Sequence, residues 1–230
     1  MTLIDSVDPA VAPYKLALIK RGGDSIIDLL LEIRKVTEGC FIAGGMARWM
    51  LSPQENPAPP GDIDLYFTNQ LAFDRTVNCL LTQGFQIIAV TTNAISFVTP
   101  NIVIYRDVMS IQAIKPTPER SGSYANVLNN FDFTISQAAV MLINDSELRG
   151  VVADSFFRDE AARVIQINKM YNPILTIMRF MKYSRKGYMI RNKNLIETLL
   201  KWNIFAQINK DKIEEIVNKG DNLYDLLDLT

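Results

Sequence analysis

Histidine is absent from this 230-residue sequence, and its absence excludes several classes of enzyme. A serine or cysteine nucleophile with a histidine base, a zinc protease of the His-Glu-x-x-His type and histidine phosphotransfer all require an imidazole. Cysteine occurs only at Cys40 and Cys79, each in an apolar stretch, which favours buried thiols over a disulfide or a zinc site. Catalysis would therefore depend on carboxylates, lysine, tyrosine or a hard metal ion bound by oxygen.

Long apolar runs and strong net charge are also missing. No run approaches the roughly 18 apolar residues of a membrane span, and the first residues lack the basic start and apolar core of a signal peptide. We therefore expect a cytoplasmic protein with no membrane partner. The net charge is −1, so the molecule as a whole does not attract nucleic acid, but basic residues outnumber acidic ones over residues 158–201. The phosphate-binding motif of P-loop NTPases is absent.

The apolar periodicity predicts a mixed α/β part up to about residue 153 and a helical part after it. Strands are predicted over residues 40–43, 62–67, 85–91, 95–98, 102–114, 131–143 and 148–153. Helices are predicted over residues 14–36, with Asp24-Ser25 as an N-cap, and over 46–51, 71–82, 124–130, 156–169, 174–185, 194–206 and 210–217. Residues 52–61 contain four prolines and predict an irregular loop.

A glycine pair, Gly44-Gly45, separates the first predicted strand from a short helix. Two adjacent glycines let the backbone approach a ligand closely, and a helix N-terminus favours phosphate. Arg48 lies one turn into the helix, from which it could contact a phosphate. Alone, a glycine pair is more often an ordinary turn than a binding site.

Two carboxylates follow on the predicted strand 62–67, at Asp62 and Asp64. Residues i and i+2 of a strand point to the same side, so both side chains converge. Close carboxylates repel each other unless a proton or a cation lies between them, and Mg²⁺ with oxygen ligands suits this position. By itself, an Asp-x-Asp motif is explained as well by the solvent-facing side of an edge strand.

The combination of these elements resembles the catalytic head of the DNA polymerase beta-like nucleotidyltransferase superfamily, and most of all that of tRNA CCA-adding enzymes and bacterial poly(A) polymerases. The resemblance is carried by residues 41–48, Phe-Ile-Ala-Gly-Gly-Met-Ala-Arg, and by residues 62–65, Asp-Ile-Asp-Leu. It implies an α+β fold, in which a small mixed sheet with helices on one side is followed by a helical C-terminal domain that closes the cleft. Residues 1–153 would form the head and residues 154–230 the helical domain.

The resemblance also implies roles for the motif residues. Gly44 and Gly45 would hold the triphosphate of an NTP such as ATP, and Asp62 and Asp64 would bind one or two Mg²⁺ ions, or Mn²⁺ in their place. The superfamily usually has a third carboxylate on a later strand, but the predicted strand at that place offers Gln112 instead.

Two aspartates are candidates for the third carboxylate. Asp107 lies just before the strand with Gln112, and Asp132 opens the next predicted strand between two aromatic residues. We expect Asp132 to be the third catalytic and metal-binding acid. A carboxylate buried between aromatic residues would be costly unless it were paired, and a metal ion would pair it. The alternatives are that Asp132 is a junction cap or that the third acid is missing.

A basic row, Arg179, Lys182 and Lys186, follows helical spacing on the predicted helix 174–185 and just after it. The row would either face the cleft and bind the nucleotide or a polynucleotide, or form the solvated side of a core helix. A weak likeness to the helix after the head of CCA-adding enzymes supports the first interpretation.

The predicted function is Mg²⁺-dependent transfer of a nucleoside monophosphate from an NTP to an acceptor, with release of pyrophosphate. The resemblance favours an RNA 3′ end, such as that of a tRNA, as the acceptor. Only about 80 residues follow the head, so a small stand-alone transferase that modifies a protein or a small molecule is an alternative. Two further alternatives are a nucleotide-sugar transferase, which also uses Asp-x-Asp, and a nucleotide-binding protein that has lost catalysis with its third acid.

Overall fold

The computed structural model describes residues 2–5, 23–55, 57, 60–104, 107–144, 147–170, 172–211 and 213–214. The strands are β1 Thr2–Asp5, β2 Cys40–Ala43, β3 Asp62–Phe67, β4 Gln86–Val90, β5 Ala94–Ile104, β6 Asp107–Ile114, β7 Ala138–Asn144, β8 Glu147–Val152, β9 Val164–Ile165 and β10 Met189–Ile190. The helices are α1 Gly23–Arg34, α2 Gly45–Leu51, α3 Gln70–Thr82, α4 Tyr124–Asn129, α5 Phe156–Ala161, α6 Pro173–Ser184 and α7 Asn192–Ile208, with a 3₁₀ turn at Thr134–Ser136.

One mixed sheet organises the fold, with the strand order β1-β8-β7-β2-β3-β6-β5-β4. Among these neighbours β3 and β6 are parallel, and the other pairs are antiparallel. The β3–β6 register sets Asp62 opposite Ser110 and Asp64 opposite Gln112. The centre of the sheet therefore brings together polar residues that lie about fifty positions apart in the sequence.

The two faces of the sheet are covered differently. Ile63, Leu65 and Phe67 are fully buried against α1, α2 and α3 in the main hydrophobic core. Because strand side chains alternate, Asp62, Asp64 and Tyr66 lie on the opposite face. There a second cluster combines Tyr66 with residues of α4. The expectation of helices on one side thus holds for α1, α2 and α3, but the short α4 packs on the other face.

The segment after residue 153 contains more than helices. The predicted helix 156–169 ends at Ala161, followed by Arg163 with φ of 50°, the left-handed conformation common just after a helix. The chain then forms β9, which pairs in parallel with β10. A third hydrophobic cluster joins this segment to the 3₁₀ turn through Phe133, Ile135, Ile165, Phe180, Tyr183 and Tyr188. The described C-terminal part is therefore mainly helical, with one small strand pair.

Two predicted strands differ from the structure. Residues 131–137 form no strand, because the hydroxyl of Thr134 donates to Asp159 at 2.8 Å and that of Ser136 contacts Tyr183 Oη at 2.9 Å. These buried bonds favour a tight 3₁₀ turn before β7. The predicted strand 102–114 is split between β5 and β6, which pair as antiparallel neighbours.

The predicted helices agree with the structure in most places. Within the described residues α1 begins at Gly23, so Asp24 and Ser25 lie in its first turn and not at an N-cap. Residues 14–22 and 215–217, at the ends of two predicted helices, lie outside the described residues. None of the helices described is both long and apolar enough to span a bilayer.

Candidate active site around Asp62 and Asp64

Asp62 and Asp64 lie half-buried on β3, on the same side of the sheet. The glycine turn after β2 lies beside them. A Cβ atom built on Gly44 would be 3.6 Å from Asp64 Oδ2 and 3.8 Å from Phe131 Cζ. The structure therefore places the glycine turn beside Asp64.

The backbone of Gly44 explains why this position is a glycine. Gly44 has φ of 75° and ψ of −132°, a conformation that side-chain-bearing residues rarely adopt. Its N–H donates to Ala138 O at 3.0 Å, and its carbonyl accepts from Arg48 N at 2.8 Å. Because the Gly44 N–H is hydrogen-bonded to β7, it does not serve as a donor to a ligand. The turn instead leaves open space beside Asp64. Gly45 has ordinary φ, and a Cβ atom built on it would be 4.0 Å from Pro60 Cβ.

Gln112 on β6 lies next to both aspartates. Its side-chain Nε2 donates to Asp62 Oδ2 at 3.1 Å, and its backbone lies opposite Asp64. Asp107, one of the two candidates for a third acid, lies five residues away at the start of β6. At about 3.3 Å per residue, its backbone lies about 16 Å along the strand from Gln112. The side chain that contacts Asp62 from the neighbouring strand is therefore an amide, that of Gln112, and not a carboxylate.

Asp132 occupies a different position from the one predicted. It is buried, at 7% exposure, on the irregular segment before the 3₁₀ turn. Its Oδ2 pairs with Arg179 Nη1 of α6, and its carbonyl accepts from Asn168 N at 2.7 Å. In the described part of the chain, no group of three or more acidic, cysteine or histidine side chains is arranged to hold a metal. In this structure Asp132 is thus the ion-pair partner of Arg179, and its role as third metal ligand stays a prediction.

The basic row, Arg179 and Lys182 on α6 and Lys186 just after it, lies within electrostatic range of the carboxylates. Burial, and then the neighbouring Asp62, raises the pKa of Asp64 to about 7, while the positive charges of Lys182 and Arg179 act to lower it. Partial burial, and then the charges of Arg48 and Lys182, lower the pKa of Lys186 to about 8, while Asp62 acts to raise it. These charge effects place the basic row within electrostatic range of the two aspartates.

Arg48 does not face this site. Its side chain is 1% exposed, and Nη1 donates to Glu160 Oε1 at 3.0 Å and to Tyr188 Oη at 2.7 Å. Its guanidinium also lies over the rings of Tyr183 and Tyr188. Glu160, which is fully buried, accepts in addition from Ser52 Oγ at 2.8 Å. In this structure Arg48 is therefore the cation of a buried ion pair, and its contact with a phosphate stays a prediction.

A divalent cation suits the donors on β3. Asp62 and Asp64 supply carboxylate oxygens, which Mg²⁺ and Mn²⁺ prefer. A cation between them relieves the repulsion that raises the pKa of Asp64, as a proton does. With two protein carboxylates, the remaining ligands would be water and substrate phosphates, the usual arrangement for Mg²⁺.

A family comparison identifies the chain at the level of a family. A family model described as "Gabija anti-defense 2 family protein" matches residues 20–163, more than half of the sequence. The chain belongs to the Gabija anti-defense 2 family. The matched range contains the glycine turn, both aspartates and Gln112, and it ends before α6. No curated protein matches the sequence.

Solved structures of CCA-adding enzymes resemble this Gabija anti-defense 2 family protein in fold. Apo form II of one such enzyme aligns with a TM-score of 0.63 and 14% identity, over 94% of this chain and 53% of the enzyme. The Thermotoga maritima CCA-adding enzyme complexed with tRNA aligns with a TM-score of 0.58 and 15% identity, over 86% and 45%. A CCA-adding enzyme complexed with ATP aligns with a TM-score of 0.58 and 17% identity, over 84% and 44%. The fold is therefore nucleotidyltransferase-like, and this chain spans about half the length of the enzymes it matches.

The sequence did not identify three residues around the aspartates of this family member: Gln112, Tyr66 and Phe131. Gln112 was noted only as an absent acid, although strand pairing makes it a hydrogen-bond donor. Tyr66 lies on the face of the carboxylates, and its ring contacts Phe131 edge-on at 5.7 Å between centroids. Because every second residue of a strand lies on the same face, the positions of Asp62 and Asp64 could have assigned Tyr66 to this face. No local signal assigns Phe131.

Proposed function

We propose that this protein is a divalent-metal-dependent nucleotidyltransferase, which transfers a nucleoside monophosphate from an NTP to an acceptor. In the reaction an acceptor hydroxyl loses its proton to water and its oxygen forms a bond to the α-phosphorus. The bond from that phosphorus to the oxygen that bridges it to the β-phosphate breaks, and pyrophosphate leaves. The observation that carries the proposal is the pair Asp62 and Asp64 on one side of a central strand, beside Gly44 and facing the basic row of α6.

The carboxylates and the glycine turn act at the reacting end of the nucleotide. Asp62 and Asp64 would hold Mg²⁺, or Mn²⁺, which when bound neutralises charge on the phosphates and orients the attacking oxygen. Gly44 lacks a side chain next to Asp64 Oδ2, so a phosphate has room to approach the carboxylate pair.

In this proposal the basic residues on α6 and just after it bind the triphosphate. Lys182 and Lys186 supply positive charge on the side of the two aspartates, which favours the β- and γ-phosphates and the pyrophosphate that leaves. Arg179 is held by Asp132, which fixes its guanidinium near Asp64 and leaves donors for a phosphate oxygen. In this proposal Asp132 orients Arg179 and does not itself contact the reacting atoms.

An RNA 3′ end is the acceptor to test first. The support is the fold shared with a CCA-adding enzyme solved with tRNA and the basic side of α6. The family name supports a second candidate, because it implies that the protein acts against a defence called Gabija. A protein or small-molecule component of that defence would then receive the nucleotide.

The test uses each of the four NTPs labelled at the α-phosphate, with Mg²⁺ and either total RNA or an extract that contains the Gabija components. Label should enter one acceptor fraction, and Asp62→Asn/Asp64→Asn should reduce transfer at least about 100-fold, since even residues behind a metal's direct ligands cost 10–100-fold. Asp74→Asn, the same change at an exposed position of α3, is the matched control and should retain transfer.

Each result distinguishes one interpretation. Label on RNA that depends on both aspartates establishes an RNA nucleotidyltransferase, and label on protein or a small molecule keeps the reaction and changes the acceptor. NTP binding without transfer to any fraction contradicts the proposal and favours a non-catalytic nucleotide-binding protein. Transfer that persists in the double variant also contradicts it.

A further inference from the structure

Gln112 joins the two aspartates from a neighbouring strand. It lies on β6 opposite Asp64, while its amide Nε2 donates to Asp62 Oδ2 at 3.1 Å. The side chain is half-buried and reaches across the parallel β3–β6 pair. One neutral residue therefore contacts one carboxylate directly and lies beside the other.

The hydrogen bond has two physical consequences for Asp62. A donor to a charged carboxylate forms a stronger bond than a neutral pair does. The bond also restricts rotation of the carboxylate, so that the other oxygen, Oδ1, keeps a defined direction. Residues that orient metal ligands in this way commonly change metal affinity 10–100-fold when they are replaced.

The neutrality of Gln112 sets the charge of the site. Asp62 and Asp64 contribute two negative charges when ionised, and an amide contributes none. One divalent cation balances two carboxylates, whereas a third carboxylate would leave one negative charge for a second cation. Asp132 adds no unbalanced charge here, because it is paired with Arg179.

We propose that Gln112 is a positioning residue of the aspartate pair, and that its neutral side chain limits the protein without nucleotide to one tightly bound divalent cation. The inference rests on the metal-binding role of Asp62 and Asp64 in the proposed function. A second cation, where the reaction uses one, is then brought by the triphosphate.

The experiment measures binding of Mn²⁺ alone to the full chain after treatment with EDTA, by calorimetry and by electron paramagnetic resonance, without NTP or acceptor. The wild type should bind one Mn²⁺. Gln112→Met, which keeps the length of the side chain but removes the donor, should bind Mn²⁺ 10–100-fold more weakly with little change in melting temperature.

Gln112→Glu tests the charge directly, because it adds a carboxylate where the Nε2 donor now lies 3.1 Å from Asp62 Oδ2. This variant should bind Mn²⁺ at least about tenfold more tightly or bind a second ion, since a third hard oxygen ligand is added. Its melting temperature should fall in EDTA and recover with Mn²⁺, because three close carboxylates repel each other without a cation. Gln86→Glu, at an exposed position on β4, makes the same change away from the aspartates and is the control.

Unchanged Mn²⁺ affinity and stoichiometry in both Gln112 variants would overturn the inference, as would two tightly bound ions in the wild type. Because no nucleotide is present, the result is separate from the proposed function. A wild type that binds one Mn²⁺, responds to Gln112 as expected and transfers no nucleotide would remove the proposed reaction and keep the inference. A wild type that transfers nucleotide but responds to neither Gln112 change would do the reverse.

Discussion

Arg48→Met should unfold the protein at a lower temperature while leaving nucleotide binding almost unchanged. Arg48 and Glu160 are 1% and 0% exposed and form an ion pair of 3.0 Å. Methionine is close to arginine in length, so the substitution mainly removes the charge and its donors. The carboxylate of Glu160 then remains buried without a cation.

The magnitude follows from the groups that remain around Glu160. Removing one partner of a buried ion pair costs about 3–5 kcal/mol. The hydroxyl groups of Ser52 and Tyr188 still donate to Glu160 Oε1, at 2.8 and 2.7 Å, and offset part of the loss. We therefore expect about 3 kcal/mol, the lower end of that range. For a chain of this size the melting temperature would fall by roughly 6–12 °C.

A second change isolates the electrostatic part. Glu160→Gln in the Arg48→Met background removes the unpaired carboxylate and keeps its shape, so it should recover more than half of the lost stability. The double variant should then be more stable than Arg48→Met alone by at least about 1.5 kcal/mol, half of the expected loss of about 3 kcal/mol. Arg75→Met, at an exposed position of α3, is the control and should change the free energy of unfolding by less than about 0.5 kcal/mol.

Urea unfolding followed by circular dichroism gives the free energies, and titration with NTP well below the melting temperature gives the affinity. An Arg48→Met variant as stable as the wild type but at least tenfold weaker in NTP binding would refute the reasoning. It would mean that Arg48 reaches the nucleotide, as the sequence first indicated.

Three further predictions concern the site itself. In urea unfolding, Gly44→Ala should lower the free energy of unfolding by about 1–3 kcal/mol, because a side chain is strained at the φ of 75° of this position. Gly45→Ala is the control and should change the free energy of unfolding far less. Equal losses in the two variants would contradict this. Lys186, whose pKa is lowered to about 8, has at pH 8 a neutral fraction roughly 100-fold above that of an ordinary lysine of pKa about 10.4. It should therefore be acylated early at pH 8 in mass spectra and be protected by NTP with Mg²⁺, and labelling no faster than that of exposed lysines would contradict the environment described. Asp132→Asn should weaken NTP binding severalfold by releasing Arg179 and leave Mn²⁺ affinity unchanged, whereas a 100-fold loss of Mn²⁺ affinity in calorimetry would restore the role of third metal ligand.

The elements that sequence predicted well are those determined by local pattern. β3 was predicted over its full length, because Asp62 to Phe67 alternates polar and apolar residues and ends in a turn. The turn at Gly44 was predicted from two glycines between an apolar run and a short helical pattern. The convergence of Asp62 and Asp64 required only the two-residue repeat of a strand.

The features that sequence missed depend on contacts between distant residues. Arg48 and Glu160 are 112 positions apart, and no local pattern distinguishes an arginine paired in the core from one that faces a phosphate. Residues 131–137 have the composition of a strand, but Thr134 is bonded to Asp159, which lies on a later helix. The role of Gln112 depended on the register of β3 against β6.

The parallel pairing of β3 with β6 has a consequence for how the protein folds. Parallel neighbours cannot be joined by a tight turn, and here α3, β4 and β5 lie between them in the chain. The aspartates and Gln112 therefore meet only after a loop of about fifty residues has closed, and contacts of such high sequence separation form slowly. A fragment that contains Asp62 and Asp64 but ends before β6 holds the carboxylates without their neutral neighbour. The rate at which Mn²⁺ affinity appears during refolding would thus report when the centre of the sheet has assembled.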